Sequence, residues 1–443
     1  MLTLWGSSAY GGFCDGLGRR DFIRVGALGT GLTLADLLRA KATAADNSRP
    51  NQPTRSRSGK AKAAILVYLP GGPSHMDMYD LKPEAPVEFR GEFKPVSTNV
   101  AGLQISEHFP MQAKMFDKLA VVRSLVAVDE HSDSQVMTGF SEQINRVQEH
   151  PSFGSVLSRV RALQGGGGLQ DTVPSFVSLR GMSRGTEPGF LGVAHRPFTP
   201  NGPGLANLRP ATANTGANLD ARKNLLTGLD DLRRDIDASG TMAGLDTFTG
   251  KAFDMVTSGV ARDALNLEKE SKENRERYKG VEGFLTARRL VEAGVGCVTL
   301  SIGGWDTHSN NFTTLKRQLP MVDRGIANLV RDLHDRGMAD DVAVVMWGEF
   351  GRTPKVNGTA GRDHWSPVMS ALVAGGGLKM GQAVGSSTAR GERPKDRPYR
   401  PSNLLATLYN ALGIDPRRGG THGLAHLQPA AGHEGGHHRG PVV

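Results

Sequence analysis

Ala63-Ala64-Ile65-Leu66-Val67-Tyr68-Leu69 runs directly into Pro70-Gly71-Gly72-Pro73-Ser74-His75-Met76-Asp77. An unbroken apolar run of this length suits a strand buried on both faces, as in a parallel sheet, where polar alternation is lost. The glycines and prolines end the strand and turn the chain. Ser74, His75 and Asp77 therefore fall in a loop at the strand's carboxyl end, where open α/β sheets gather their ligands. The same syntax recurs downstream. A helix around Ala287–Ala293 ends at Gly294, and a strand from Cys297 to Ile302 delivers Gly303-Gly304-Trp305-Asp306-Thr307-His308. A helix over Asp323–Arg336, a turn at Gly337 and a strand Val342–Trp347 lead into Gly348-Glu349-Phe350-Gly351-Arg352. A fourth unit, Ser366–Ala374, follows Arg362-Asp363-His364. Alternating helix and strand predicts a mostly parallel, doubly wound sheet with its site along one edge.

The remaining segments read differently. Residues about 195–262 are rich in Gly, Asn, Thr and Pro and read as a loop-rich insertion, and Asp263–Tyr278 as a charged, solvent-facing helix. Gly18-Arg19-Arg20-Asp21-Phe22-Ile23-Arg24, a weakly apolar stretch to Leu38 and small residues to Ala44 have the layout of a twin-arginine signal. Residues 1–45 are thus expected to be a leader read by the twin-arginine export machinery, sending the protein to the periplasm or cell surface. Residues 46–62 read as a disordered linker. Residues 416–443 form a Gly/His-rich tail that carries five of the 13 histidines.

Composition removes several classes of function. The 443 residues include 53 Lys+Arg against 44 Asp+Glu, a net +9, with 57 Gly and only 2 Cys. Without the leader's Cys14, Cys297 would be a single thiol, which rules out an intrachain disulfide framework. No run approaches the ~18 consecutive apolar residues of a membrane span. No basic run is interleaved with aromatics, so no nucleic-acid partner is expected.

Candidate chemistry gathers at the strand ends. Asp306 and His308 can share a divalent cation, or be an Asp-capped turn with a surface histidine. Asp77, Glu349 and Asp363-His364 end or flank similar units. Carboxylates and imidazoles crowded at one edge repel one another unless a cation or shared protons compensate. In Asp129-Glu130-His131-Ser132-Asp133-Ser134, His131 and Ser132 offer a base, nucleophile or ligand, or the stretch caps a helix. Arg352 can hold an anionic substrate group or make a structural ion pair.

Together these motifs resemble a known family. Arg19-Arg20-Asp21-Phe22, Gly71-Gly72-Pro73-Ser74, Gly304-Trp305-Asp306-Thr307-His308, Gly348-Glu349-Phe350-Gly351-Arg352-Thr353-Pro354 and Gly361-Arg362-Asp363-His364-Trp365 are similar, in kind and order, to the bacterial "domain of unknown function 1501" family. The resemblance spans about residue 14 to Pro416. It implies an alkaline-phosphatase-like, sulfatase-like domain over residues 63–415, a three-layer α/β/α sandwich with a mostly parallel central sheet and a divalent metal ion (Zn, Mn, Ca or Mg) at the strand ends. Asp77 would be the first-strand ligand, Asp306 and His308 an Asp-His pair, and His364 the late histidine. Glu349 stands where phosphatases carry a consecutive Asp-His. No Cys-x-Pro-x-Arg sulfatase signature occurs, so a formylglycine nucleophile is not implied. The expectation is an exported, metal-dependent hydrolase of phosphate or sulfate esters, acting on an anionic small molecule or polysaccharide. The alternative is a catalytically inactive module that binds an anionic polysaccharide or a cell-surface partner.

Overall fold

In a computed structural model, residues 61–164, 173–200 and 259–416 are described. The leader, all but the last two residues of the linker, most of the expected insertion and nearly all of the His-rich tail lie outside them. The central sheet has seven strands: β1 Ala63–Tyr68, β2 Leu119–Leu125, β3 Phe176–Ser178, β4 Cys297–Ser301, β5 Val342–Trp347, β6 Met369–Gly375 and β7 Gln382–Val384. Their spatial order is β7-β2-β6-β5-β1-β4-β3. All pairings are parallel except those of β6 with β5 and β2.

The period-two alternation of β1 divides the core. Ala63, Ile65 and Val67 belong to one apolar cluster with helices α3 (Glu282–Glu292) and α4 (Asn311–Asp335). Ala64, Leu66 and Tyr68 belong to a second with α1 (Ser134–Thr138), α2 (Phe153–Leu163) and α5 (Pro401–Ala411). The expected three-layer sandwich is the architecture found, and each face of the sheet is covered by helices.

Two expected elements differ. The helix expected over Asp323–Arg336 begins at Asn311 and passes through Pro320. Its buried stripe of Leu315, Leu319, Val322, Ile326, Leu329 and Leu333 continues across the proline, so packing offsets the lost backbone bond. The charged helix expected over Asp263–Tyr278 is instead three short pieces, Val260–Leu265, Leu267–Lys269 and Lys272–Arg277. Asn266 and Ser271 side chains cap the second and third pieces and so interrupt a continuous helix. Nor does this segment wholly face solvent. Tyr278 is buried, and the Glu270 carboxylate meets Arg288 at 2.8 Å and Arg289 at 2.5 Å.

Strand register places the site. Tyr68 at the end of β1 is level with Trp347 at the end of β5 and Ser301 at the end of β4. Three loops therefore leave one edge together. β6 runs the other way, so the residues before it, including His364, arrive at that same edge. Leu125, at the end of β2, pairs with Met369 and brings the His131 loop there too. Among the described residues no helix is long and apolar enough to cross a membrane.

Candidate metal centre

Four of the singled-out residues converge from three loops. His131, Asp306 and His364 each offer a ligand atom, all within 4.8 Å of one another. His308 Nε2 lies 3.0 Å from Asp306 Oδ1 and 3.1 Å from His364 Nε2. His364 Nε2 is 3.1 Å from the same Asp306 oxygen, and His131 Nε2 is 3.5 Å from Asp306 Oδ2. The cluster is open on one side, with His131, Asp306 and His308 about half exposed.

Backbone geometry brings Asp306 to this point. Trp305 is fully buried and donates from Nε1 to Ile302 O at 2.7 Å, which pins the turn. Gly71 (φ +104°) passes so close that a Cβ there would stand 2.5 Å from Asp306 N. Only glycine allows both that conformation and that approach. Gln135 ties the His131 loop to the Glu349 loop: its Nε2 donates to Val128 O at 3.0 Å and to Glu349 O at 3.1 Å, while its Oε1 accepts from Val128 N at 2.9 Å.

Behind the cluster, carboxylates stand against two of the imidazoles. His308 Nδ1 meets Asp363 Oδ1 at 2.8 Å, and His131 Nδ1 meets Glu349 Oε1 at 3.2 Å. The His308 contact is a hydrogen bond, and an ionised carboxylate can only accept, so His308 Nδ1 carries the proton. When neutral, the His308 ring then turns its Nε2 lone pair toward the Asp306 carboxylate. That donor set is short of positive charge. A divalent cation satisfies it, and a carboxylate behind each of two imidazoles is the usual bracing of metal-bound histidines. The 3.0–3.1 Å spacings among Asp306, His308 and His364 fit as well: donors bound to one ion at about 2.0–2.2 Å stand roughly 3.0–3.5 Å apart. Glu349 itself is held from behind: its Oε1 accepts from Gly71 N at 2.8 Å, and the Tyr68 hydroxyl bonds its carboxylate.

The electrostatics follow from these contacts. Burial would raise the Asp306 carboxyl, but hydrogen bonds from Arg352 and His364 outweigh it and hold the group well below the usual range. Burial pushes Glu349 up, against the pull of the Gly71 N–H and His131. Burial also lowers the His364 imidazole, and its bond to Asp306 opposes this.

Three candidates sit elsewhere or act differently. Asp77 is fully buried, and its carboxylate is filled by Arg362 (2.8 and 3.0 Å), Ser74 Oγ (2.7 Å) and Asn311 Nδ2 (2.9 Å). Those four donors make it a brace beside the cluster: Asn311 Oδ1 in turn accepts from Thr307 Oγ1 at 2.6 Å, between Asp306 and His308. Arg352 is also fully buried, bonded to the Gly71, Gly72 and Arg362 carbonyls and to Asp306. Of its two readings, the structural ion pair is the one its contacts match; its guanidinium positions Asp306 and has no face open to a substrate anion. Ser132 is buried, its hydroxyl accepting from Ser134 N at 3.2 Å and bonded to Glu142. It serves the start of α1, as the helix-capping alternative expects. Sequence reasoning did not single out Gln135, Arg362 or Asn311, and it gave Asp363 no role of its own. Only the position of Asp363 and Arg362 beside His364 hinted at them.

Comparisons with known proteins complete the description. No curated protein matches the chain. Among solved structures, the lipoteichoic acid synthase LtaP from Listeria monocytogenes is similar at 11% identity and a TM-score of 0.35, covering 85% of this chain and 78% of its own. Ps i-CgsB is similar at 12% identity and a TM-score of 0.34, covering 80% and 72%. The family model described as "Protein of unknown function (DUF1501)" matches residues 61–435. With the motif order and the strand-end cluster, a match across that span makes this chain a member of the DUF1501 family.

Proposed function

We propose that this protein is an exported, metal-dependent hydrolase of phosphate or sulfate esters. The observation that carries the reading is the convergence of His131, Asp306, His308 and His364 at one sheet edge, with Glu349 and Asp363 behind two of the imidazoles. These four residues would hold the ion. Three imidazoles and one carboxylate suit zinc or a similar transition metal better than calcium or magnesium, which prefer all-oxygen sites. When bound, such an ion supplies polarisation of an ester oxygen and acidifies a coordinated water. The chain's own residues do the rest. Asp363 holds the His308 ring in one orientation, the Glu349 carboxyl stands 3.2 Å from His131 Nδ1, and Arg352 fixes Asp306. The twin-arginine layout read in residues 18–44 supports export of the folded, loaded protein.

Metal analysis of the full chain, beside a His308→Ala/His364→Ala variant carrying the same His-rich tail, tests this. We expect the wild type to hold about one equivalent more than the variant and to hydrolyse 4-nitrophenyl phosphate or sulfate until a chelator is added. Equal metal in both proteins would overturn the site. A second reading, an inactive binding module, is favoured by one observation: the Arg352 cation already stands against Asp306. Folded wild type without metal would select it.

Asp363→Ala is expected to weaken metal affinity about 10–100-fold, read by competition with a chromogenic chelator. Asp363→Asn should recover part of the loss, since its carbonyl still accepts from His308 Nδ1.

A further inference from the structure

Five exposed cations stand in a short segment next to the cluster: Arg390, Arg393, Lys395, Arg397 and Arg400, against only Glu392 and Asp396. Among the described residues, Arg390, Arg393, Lys395 and Arg400 make no ion pair with a carboxylate, while Asp396 accepts from Ser386 Oγ. Unneutralised charge of this density, held in one place, needs a reason.

The segment is braced rather than loose. Thr388 N donates to Arg393 O at 2.9 Å, Lys395 N to Ser386 O at 2.9 Å, and Tyr399 N to Ser124 O at 2.9 Å. Two side chains tie it to the site edge. His75 Nε2 bonds Gly391 O at 2.8 Å, and Trp365 Nε1 donates to Glu392 O at 2.8 Å. Trp365 directly follows His364, so the cationic segment is fastened one residue from the cluster. The Arg390 guanidinium lies 5.3 Å over the Phe89 ring, and that of Arg397 lies 5.4 Å over Tyr399. Such stacking orders a guanidinium at little cost in charge.

We propose that Ser386–Arg400 is a docking surface for a sulfated or phosphorylated polysaccharide, which it holds alongside the cluster. Exposed cations gathered in one braced segment, two of them ordered over aromatic rings, match the repeating anionic groups of an extended polymer, and such a group gains affinity through counterion release. A single-stranded nucleic acid fits less well, because it would need open aromatic platforms and these two rings each carry a guanidinium. A lipid surface fits less well too, since none of the large exposed apolar side chains lies in this segment. The presentation of an ester to the cluster rests on the reading given under Proposed function, whereas the docking itself does not.

The experiment uses the full chain and three probes of matched length: dextran sulfate, unsulfated dextran and a single-stranded oligonucleotide. Arg390→Gln/Arg393→Gln/Lys395→Gln is compared with Lys272→Gln/Arg317→Gln/Arg331→Gln, which removes the same charge from exposed positions elsewhere. The expected result is a tenfold or greater loss of dextran sulfate affinity in the first variant and less than twofold in the second. Equal losses in both, undiminished binding by the first, or tighter binding of the oligonucleotide or of unsulfated dextran would each overturn the proposal. The same titration on His308→Ala/His364→Ala separates the two readings: docking retained there, in a protein whose wild type shows no hydrolysis, sinks the hydrolase and leaves the surface standing.

Discussion

Asp306→Ala is expected to strip the divalent ion from the purified protein and to lower ester hydrolysis at least about a hundredfold, the upper end of what losing even an outer-sphere residue costs a metal site. Asp306 is the one side chain that touches every other member of the cluster: His131, His308, His364 and Arg352. Its removal takes away the carboxylate on which three imidazoles are centred. It also leaves the Arg352 guanidinium facing nitrogen donors only, which further disfavours a cation. The fold should survive, since Asp306 is half exposed and Arg352 keeps its three carbonyl partners. Elemental analysis, turnover and circular dichroism on one preparation separate these effects. A well-folded Asp306→Ala protein with full metal and full turnover would refute the site.

The second large effect concerns stability. Asp77→Ala should destabilise the fold by about 3–5 kcal/mol, the range for breaking a buried ion pair by deleting one partner. Against a typical total of roughly 5–15 kcal/mol, that is a large fraction. Asp77 and Arg362 are both fully buried and joined by two hydrogen bonds, so deleting the carboxylate leaves a buried guanidinium without its counter-charge. Arg362 retains its bonds to Thr353, Pro354 and Phe89, which limits the loss but leaves its charge uncompensated. Urea denaturation midpoints measure this directly. The same variant decides between two roles for Asp77. A first-strand metal ligand would lose the ion with stability nearly unchanged, whereas a brace loses stability first. Unaltered midpoints together with lost metal would restore the ligand role.

Both expectations turn on where legibility in the sequence ended. Asp306, His308, His364 and His131 were legible because each follows or precedes an apolar strand, and strand ends in α/β sheets share an edge. The partners of those residues were not. Asp77 and Asp306 have the same local setting, a carboxylate just past a glycine-rich turn at the end of a parallel strand. Yet one faces Arg362 in the interior and the other faces three imidazoles at the surface. Local sequence does not encode which loop a carboxylate turns toward, because that depends on residues far along the chain: Arg362 lies 285 positions from Asp77, and His131 lies 175 from Asp306.

The amino-acid sequence by itself determined the layered α/β architecture, the strand edge that carries the polar residues, and the family. Hydrophobic period and turn chemistry are local, and they dictate secondary structure before any long-range contact forms. Only the tertiary structure decided that β6 runs antiparallel, and that reversal brings His364, which lies ahead of its strand, to an edge otherwise built from residues that follow theirs. Only packing, too, turned Arg352 into a buried clamp and fastened a segment of exposed cations to Trp365, the residue after His364. Charge and chain order are written in the sequence. The partner each charge meets is fixed by register, burial and strand direction, which exist only once the whole sheet has closed.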